Sequence, residues 1–403
     1  MTITFVSNYI NHHQIPFSDA CYRELGEGYR FIQTEPMEEE RVAMGWGTEG
    51  SRLPYVRCLY EEEEECRKLI LESDMVVFGW ISREDLLDAA DMIERRLKAG
   101  KPSLRLSERL YREGQWKAVS PRGLVKKYRE HTRFRKEPVC LLCAGAYVAS
   151  DFHLIRAYPG KMLRFGYFPE TKRYEETELE AMKEKDGKVH IVWAGRFMPL
   201  KHPEFAVRIG EELLKEGKAF HIHMAGSGEM EQELKRRVEE KGMEDFFTFY
   251  GYTNPETVRG IMEKCHIHLF TSNHLEGWGA VVNEAMNSGC AVVANEEAGA
   301  VPFLIRHGEN GFIYRGGSYE EFAKLVKELA SHRELAARLG KEAYRTITCL
   351  WNAEHAAAEL IRFCRVLVEE GRIAPAKEGP LSMAEVTAPG RKLKEALCNN
   401  ADI

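Results

Sequence analysis

Ser272–Gly289 reads SNHLEGWGAVVNEAMNSG. It sets two carboxylates, Glu276 and Glu284, eight positions apart, with Gly277 and Gly279 and the opening of a helical run between them. A glycine-flanked turn lets backbone N–H groups approach an anion closely. The helix opening adds free N–H groups and the positive end of a macrodipole. Carboxylates on either side of it can accept hydrogen bonds from sugar and ribose hydroxyls. The pattern suits a sugar held against a diphosphate. The pair alone is weak: with 63 acidic residues in 403, roughly ten acidic pairs fall eight apart by chance. The neighbours carry the signal, namely Asn283, Ala285 and Met286, then Ser288-Gly289 ahead of the strand-like CAVVAN.

Outward from this stretch, short apolar runs alternate with amphipathic helical segments. VHIVWAG, FHIHMAG, FTFYG and HIHLF precede it, and CAVVAN and GFIY follow. In the first half ITFVS at Ile3–Ser7, DMVVFGWIS at Asp74–Ser82, PSLRLS at Pro102–Ser107 and VCLLCAGAYVAS read as strands. Strands alternating with helices imply parallel sheets with crossover helices. The expected fold class is therefore α/β, with two Rossmann-like doubly wound domains facing a cleft. A chain of 403 residues is long for one core. The expected limits are an N-terminal domain over 1–170, a polar linker over 171–187 and a second domain over 188–348. A helix over 349–370 is expected to pack back toward the first domain, and 371–403 to be a tail, loose or laid along the surface. Ligands on such sheets bind at the carboxyl ends of the strands.

Composition narrows the class. Hydrophobic residues make up 44% and charged residues 30%, ordinary for a globular protein. No run of about 18 apolar residues suggests a membrane-spanning helix. MTITFVSNYINHH lacks a basic segment followed by a long apolar core, so the expected location is cytoplasmic. Cys140 and Cys143 form a CxxC, but they sit in an apolar strand with no second such pair, which favours buried thiols over a zinc or redox site. His221/His223 and His266/His268 form HxH pairs without an evident acidic or Cys partner, so no metal is expected.

The net charge of −6 is unevenly spread: Arg95 to Lys136 holds fifteen Lys or Arg against three Glu. Within it the segment 121–136 carries Arg122, Lys126, Lys127, Arg129, Arg133, Arg135 and Lys136 beside Leu124, Val125, Tyr128 and Phe134. Two readings stand: a basic amphipathic helix on an anionic membrane surface, giving a peripheral protein on the inner face, or a solvated helix with an ordinary apolar stripe. No nucleic-acid motif accompanies the charge, so nucleic acid is not an expected partner.

AGRFMPLKHPEFAV, MAGSGEMEQEL, EGWGAVVNEAMNSGCAVVANEEAGAVPFLI and GENGFIY follow one another in order. This series resembles the donor domain of the retaining glycosyltransferases of family 4, which have the GT-B fold. The likeness is close over about Val189 to Tyr314 and holds for the first half only in outline. It implies that Arg196 and Lys201 are the cations on a nucleotide-sugar diphosphate, and that Gly195, Gly226 and Gly228 line the turns beside the nucleotide. It implies that Glu284 binds the ribose hydroxyls and Glu276 the donor sugar. Backbone N–H groups around Gly277, Trp278, Gly279 and Ala280 would face sugar and phosphate. The first half departs from the family pattern. Where many relatives carry a glycine-rich loop after the first strand, this chain reads SNYINHHQIPFSD, and Asn11, His12, His13 and Gln14 are candidates for hydrogen-bonding an acceptor or the donor diphosphate. Where many carry a histidine after the PSLRLS strand, Ser107, Glu108 and Arg109 stand, and Glu108 is a candidate for the transferred sugar or the acceptor hydroxyl. The resemblance implies transfer from a nucleotide-diphosphate sugar, UDP-linked, to a glycan or lipid-linked acceptor in cell-surface polysaccharide synthesis, without a cofactor or metal. The competing reading is a catalytically inactive partner or glycan-binding subunit on the same fold.

Overall fold

The computed structural model describes residues 1–38, 49–82, 85–113 and 120–387. The chain forms two compact units. Met1–Glu170 and the chain from Trp351 to the last described residue make the first, and Thr171–Leu350 the second.

The first unit holds β1 (Ile3–Ser7), α1 (Ile15–Leu25), β2 (Tyr29–Gln33), β3 (Val56–Cys58), α2 (Glu63–Glu72), β4 (Met75–Phe78), α3 (Ala89–Lys98), β5 (Ser103–Ser107), α4 (Pro121–Glu130), β6 (Val139–Ala144), α5 (Val148–Leu154) and β7 (Met162–Phe165). The strands form one parallel sheet in the order β3-β2-β1-β4-β5-β6-β7. Four elements, α1, β2, β3 and β7, lie where the sequence pattern suggested no regular structure. β2 and β3 are short and half polar, and what makes them strands is the pairing of β2 with β1 and of β3 with β2, which no local pattern reports. VCLLCAGAYVAS is a strand only to Ala144; Gly145, at φ +128, breaks it, and Val148 onward is helical. DMVVFGWIS is likewise a strand only over Met75–Phe78.

The second unit holds α6 (Glu176–Met182), β8 (Val189–Ala194), α7 (Glu204–Lys215), β9 (Phe220–Ala225), α8 (Glu231–Glu240), β10 (Phe247–Gly251), α9 (Pro255–Lys264), β11 (Ile267–Phe270), α10 (Val281–Asn287), β12 (Ala291–Asn295), α11 (Val301–Leu304), β13 (Phe312–Tyr314), α12 (Tyr319–Ser331) and α13 (Arg333–Cys349). Its parallel sheet runs β10-β9-β8-β11-β12-β13, and all six strands fall on the apolar runs read from the sequence. The polar stretch 171–187, expected as a linker, is stitched into this unit. Asn287 accepts from the Lys172 amide at 2.8 Å, and Lys183 Nζ donates to the carbonyls of Cys265 and Ser288 at 2.7 Å each.

The last helix, α14 (Ala353–Glu370), lies beyond the second unit in sequence but packs on α1 in the first. Asn352 caps it by accepting from His355 N–H at 2.8 Å, and Gly371, at φ +64, ends it. Beyond it the chain lies along the free edge of β7: Arg164 N–H donates to the Ser382 carbonyl at 2.7 Å and Leu381 N–H to the Arg164 carbonyl at 2.8 Å. An edge strand with unpaired backbone groups is a template for unwanted pairing, and this segment covers it. The end of the expected tail, 388–403, lies outside the described residues.

In each sheet the strand order reverses once, between β1 and β4 and between β8 and β11. At such a point the loops leaving two neighbouring strands diverge to opposite faces and open a crevice at their carboxyl ends.

Candidate active site

In the second unit the crevice is bordered by the loop after β8, which carries Gly195, Arg196 and Lys201, and the loop after β11, which carries Ser272–Ala280. Their backbones are fastened together. Trp193 Nε1 donates to Thr271 Oγ1 at 2.8 Å, Thr271 Oγ1 in turn donates to the Lys201 carbonyl, and Asn273 N–H donates to the Leu200 carbonyl at 2.9 Å. These bonds fix where Lys201 starts, and its ammonium ion-pairs with the Glu276 carboxylate across the switch point. Asn273 also shapes the Glu276 turn, its side chain accepting from Leu275 N–H and its carbonyl from Glu276 N–H, both at 3.0 Å. Arg196, one residue past Gly195, is exposed.

The loop after β9 closes against the loop after β8. Gly195 N–H donates to the Ala225 carbonyl at 3.0 Å and Phe197 N–H to the Ser227 carbonyl at 2.8 Å. Gly226 stands at φ +127, and a Cβ there would lie 1.9 Å from the Gly195 carbonyl oxygen, so any side chain would force the two loops apart. The Gly226–Gly228 turn is therefore held beside Gly195 by contact as well as by hydrogen bonds.

Gly279, at φ +94, turns the chain from the Glu276 loop into α10, where a Cβ would strike the Phe270 ring at 2.5 Å. Trp278 is buried, and its Nε1 donates to Asn283 Oδ1 at 2.9 Å, so its side chain anchors the turn. α10 opens at Val281, so the amides just before it sit at the positive end of the helix. Glu284 lies on the first turn of α10 and is half-buried. Burial pushes its carboxyl pKa up to about 7, against the pull of the Arg259 guanidinium. Arg259 is itself buried and hydrogen-bonded to Asn287.

The candidates in the first unit lie at the carboxyl ends of β1 and β5. Asn11 is spent on its own loop: its Oδ1 accepts from His13 N–H at 3.0 Å, its Nδ2 donates to Gln14 Oε1 at 3.0 Å, and its carbonyl receives the Gln14 and Ile15 amides that open α1. Asn11 thereby shapes the turn that opens α1. The His12 and His13 rings lie against each other, tilted by 51° with centroids 3.8 Å apart. Burial lowers the His12 pKa; burial, and then His12, lowers that of His13 to about 3, so both rings are neutral near pH 7. Glu108 accepts from the Tyr167 hydroxyl at 2.8 Å and pairs with Arg112 at 3.4 Å. The His13 ring lies 6.4 Å from that of Tyr167. Tyr167 thus joins the two candidate loops, a link with no sequence signature. Arg109, beside Glu108, is buried in a two-pronged ion pair with Asp151 and belongs to the core.

Sequence reasoning also missed Trp80. Read as part of a buried strand, it sits past the end of β4 and is 66% exposed. Ser7 Oγ donates to its carbonyl at 3.2 Å, fastening it at the switch point between β1 and β4.

Among the described residues no group of three or more His, Cys, Asp or Glu is arranged to hold a metal. The CxxC thiols are buried in β6, and burial pushes the Cys140 pKa up to about 12. His268 is fully buried in β11, where desolvation lowers its pKa to about 3. No described helix is long and apolar enough to cross a membrane.

Comparison with known proteins bears on the fold and the family. Residues 175–346 match the family described as glycosyl transferases group 1. Over 159 residues, 40% of this chain, the sequence is 26% identical to the poly(ribitol-phosphate) alpha-N-acetylglucosaminyltransferase of Staphylococcus aureus. Over 198 residues, 48% of this chain, it is 26% identical to the poly(glycerol-phosphate) alpha-glucosyltransferase of Bacillus subtilis. The matches span 32% and 28% of those two proteins. Among solved structures, a glycosyltransferase of Rickettsia africae superimposes with a TM-score of 0.65 at 14% identity, covering 91% of this chain and 98% of that one. Anabaena HepE in complex with UDP does so with a TM-score of 0.63 at 14% identity, covering 90% of this chain and 100% of that one. These likenesses support the group 1 glycosyltransferase superfamily for the matched segment and the GT-B fold for the two α/β units.

Proposed function

We propose that the chain is a retaining, metal-independent glycosyltransferase of family 4. It takes a sugar from a nucleotide-diphosphate donor, UDP-linked, and gives it to a glycan or lipid-linked acceptor in surface polysaccharide synthesis. The observation that carries the reading is the Lys201–Glu276 pair across the β8/β11 switch point, with Arg196, the Gly226–Gly228 turn and Glu284 on the loops and helix around it. The anion that enters such a crevice meets two cations and a helix start. Lys201 exchanges its carboxylate for the donor diphosphate, which frees Glu276 to accept from hydroxyls of the sugar. Arg196 presents a fork suited to phosphate oxygens. Glu284, ionised, accepts from the ribose hydroxyls.

As the bond from the anomeric carbon to the diphosphate oxygen breaks, Lys201 and Arg196 neutralise the charge building on the leaving group, which is electrostatic catalysis by side chains alone. The acceptor hydroxyl attacks on the face the diphosphate leaves, and its proton passes to a diphosphate oxygen, which retains the anomeric configuration. The UDP preference rests on the neighbours solved with UDP or UDP-glucose, Anabaena HepE among them, and the glycan acceptor on the poly(ribitol-phosphate) and poly(glycerol-phosphate) transferases of Staphylococcus aureus and Bacillus subtilis.

Calorimetric titration with UDP and a panel of UDP- and GDP-sugars tests the reading. UDP binds the wild type, and Lys201→Ala and Glu276→Ala each lower donor turnover by about 10²-fold, the size expected for one lost electrostatic contact to a transition state. No binding of any nucleotide diphosphate, or undiminished turnover in both variants, overturns it.

A further inference from the structure

Among the described residues other than glycine, four take a positive φ: Arg156, Tyr158, His202 and Leu381. His202, at φ +47 and ψ +52, is the one that lies in the second unit, and it follows Lys201 directly. A left-handed backbone is costly for a residue with a Cβ and persists only where its surroundings enforce it.

Here the enforcement acts on the side chain. His202 Nδ1 lies 2.8 Å from Glu204 Oε1, and His202 Nε2 lies 3.4 Å from Asn273 Nδ2. Asn273 Oδ1 is taken by Leu275 N–H at 3.0 Å, which leaves Nδ2, a donor only, for the ring. Nε2 therefore accepts from Asn273, and Nδ1 carries the proton and donates to Glu204. The Phe205 ring lies alongside, with centroids 5.4 Å apart. Both edges of the imidazole are held, one by the first turn of α7 and the other by the loop after β11.

This clamp completes the fixing of Lys201. The Lys201 N–H donates to the Met198 carbonyl at 2.9 Å, its carbonyl accepts from Thr271, and the next residue is locked through its ring. An ammonium on a flexible four-carbon stem is only as well placed as the backbone it leaves from. Asn273 has all four polar groups engaged: its N–H with Leu200, its carbonyl with Glu276 N–H, its Oδ1 with Leu275 N–H and its Nδ2 with the ring. Both members of the Lys201–Glu276 pair thus hang from one junction, and His202 holds it together.

We propose that His202 is a positioning residue for donor binding: through Glu204 on one side and Asn273 on the other, it holds the backbone from which Lys201 reaches the diphosphate. The inference rests on the reading of Lys201 as a cation for that diphosphate. A ring that served only to open α7 would matter for folding and not for Lys201.

Calorimetric titration with UDP, run beside thermal melts, separates the two. Glycine adopts the left-handed region freely, so His202→Gly removes the clamp without straining the backbone. It lowers UDP affinity by about tenfold, within the range of coupling between residues in contact. His202→Gln, whose amide oxygen can accept from Asn273, recovers most of that loss. Residues that act through one contact are not additive, so His202→Gly added to Lys201→Ala lowers UDP affinity by less than about twofold beyond Lys201→Ala alone. Wild-type UDP affinity in His202→Gly overturns the inference. So does the full loss persisting in the Lys201→Ala background, or no recovery in His202→Gln at a wild-type melting temperature. In these outcomes the wild type still binds UDP and the transfer reading stands; a wild type that binds no UDP overturns that reading and this inference with it.

Discussion

Glu284 carries the most informative single charge in the crevice. Its carboxyl titrates near pH 7 rather than in the usual carboxylate range because burial disfavours the anion. The folded protein thus holds this proton more tightly than the unfolded chain. Between about pH 4.5 and 7 the proton is bound when folded and lost when unfolded, so the stability contributed by the group is present at acid pH and declines as pH rises through that window. Glu284→Gln, which mimics the protonated form, is expected to melt higher than wild type at pH 8, with the gap closing below about pH 4.5; a melting series against pH reads this. On the proposed role of Glu284 at the ribose, the same substitution lowers UDP affinity at pH 8 by about tenfold or more. A variant that gains no stability at pH 8 would mean the carboxyl is solvated. The roles proposed for Lys201 and Glu276 come from the motif's resemblance, but their pairing has no such source: nothing local says that residues 75 positions apart meet.

At the scale of elements, the first turns of β8, β9 and β11 bring histidines together. His190 Nδ1 and His223 Nε2 are 2.9 Å apart, and His190 Nε2 lies 3.0 Å from Asp186 Oδ1. The Tyr250 hydroxyl bonds His223 Nδ1 at 2.8 Å. Asp186, His190, His223 and Tyr250 thus form one continuous chain of side-chain bonds. Burial, and then neighbouring His221 and His190, lowers the His223 pKa to about 3; burial, and then Lys183, lowers that of His266 to about 4. These rings are neutral when folded and charge freely when unfolded, near pH 6.5. Stability is therefore held above that pH and lost as it falls toward 4, by about 1.4 kcal/mol per pH unit for each such histidine. Denaturant unfolding between pH 7 and 5 is expected to show this loss, and His223→Gln to flatten it; an unchanged slope would exclude His223 as a contributor. In the sequence, the HxH pattern invited metal, whereas the sheet register stacks the rings on one another and on Thr248 and Tyr250.

At the scale of the whole molecule, the last helix belongs with the first residues. Leu360 and Phe363 of α14 are fully buried, α14 packs on α1, and Trp351 stacks on Phe168 at 6.5 Å. Leu360→Ala should cost about 2–5 kcal/mol, the range for a buried large-to-small change. Hydrogen exchange is expected to place the loss of protection in Met1–Glu170 and to leave Thr171–Leu350 at wild-type rates; a loss spread evenly over both would show one cooperative unit. By itself the sequence determined the α/β class, all six strands of the second unit and the motif residues after β8, β9 and β11. Buried parallel strands are continuous apolar runs, and close backbone approach requires glycine wherever it occurs, so both leave local marks. Only the tertiary structure decided that β2, β3 and β7 are strands, that Asn11 and Arg109 are spent on their own frames, that Trp80 is exposed and that Tyr167 reaches Glu108. Each of these depends on which distant residue fills the space alongside, and a linear pattern holds no record of that.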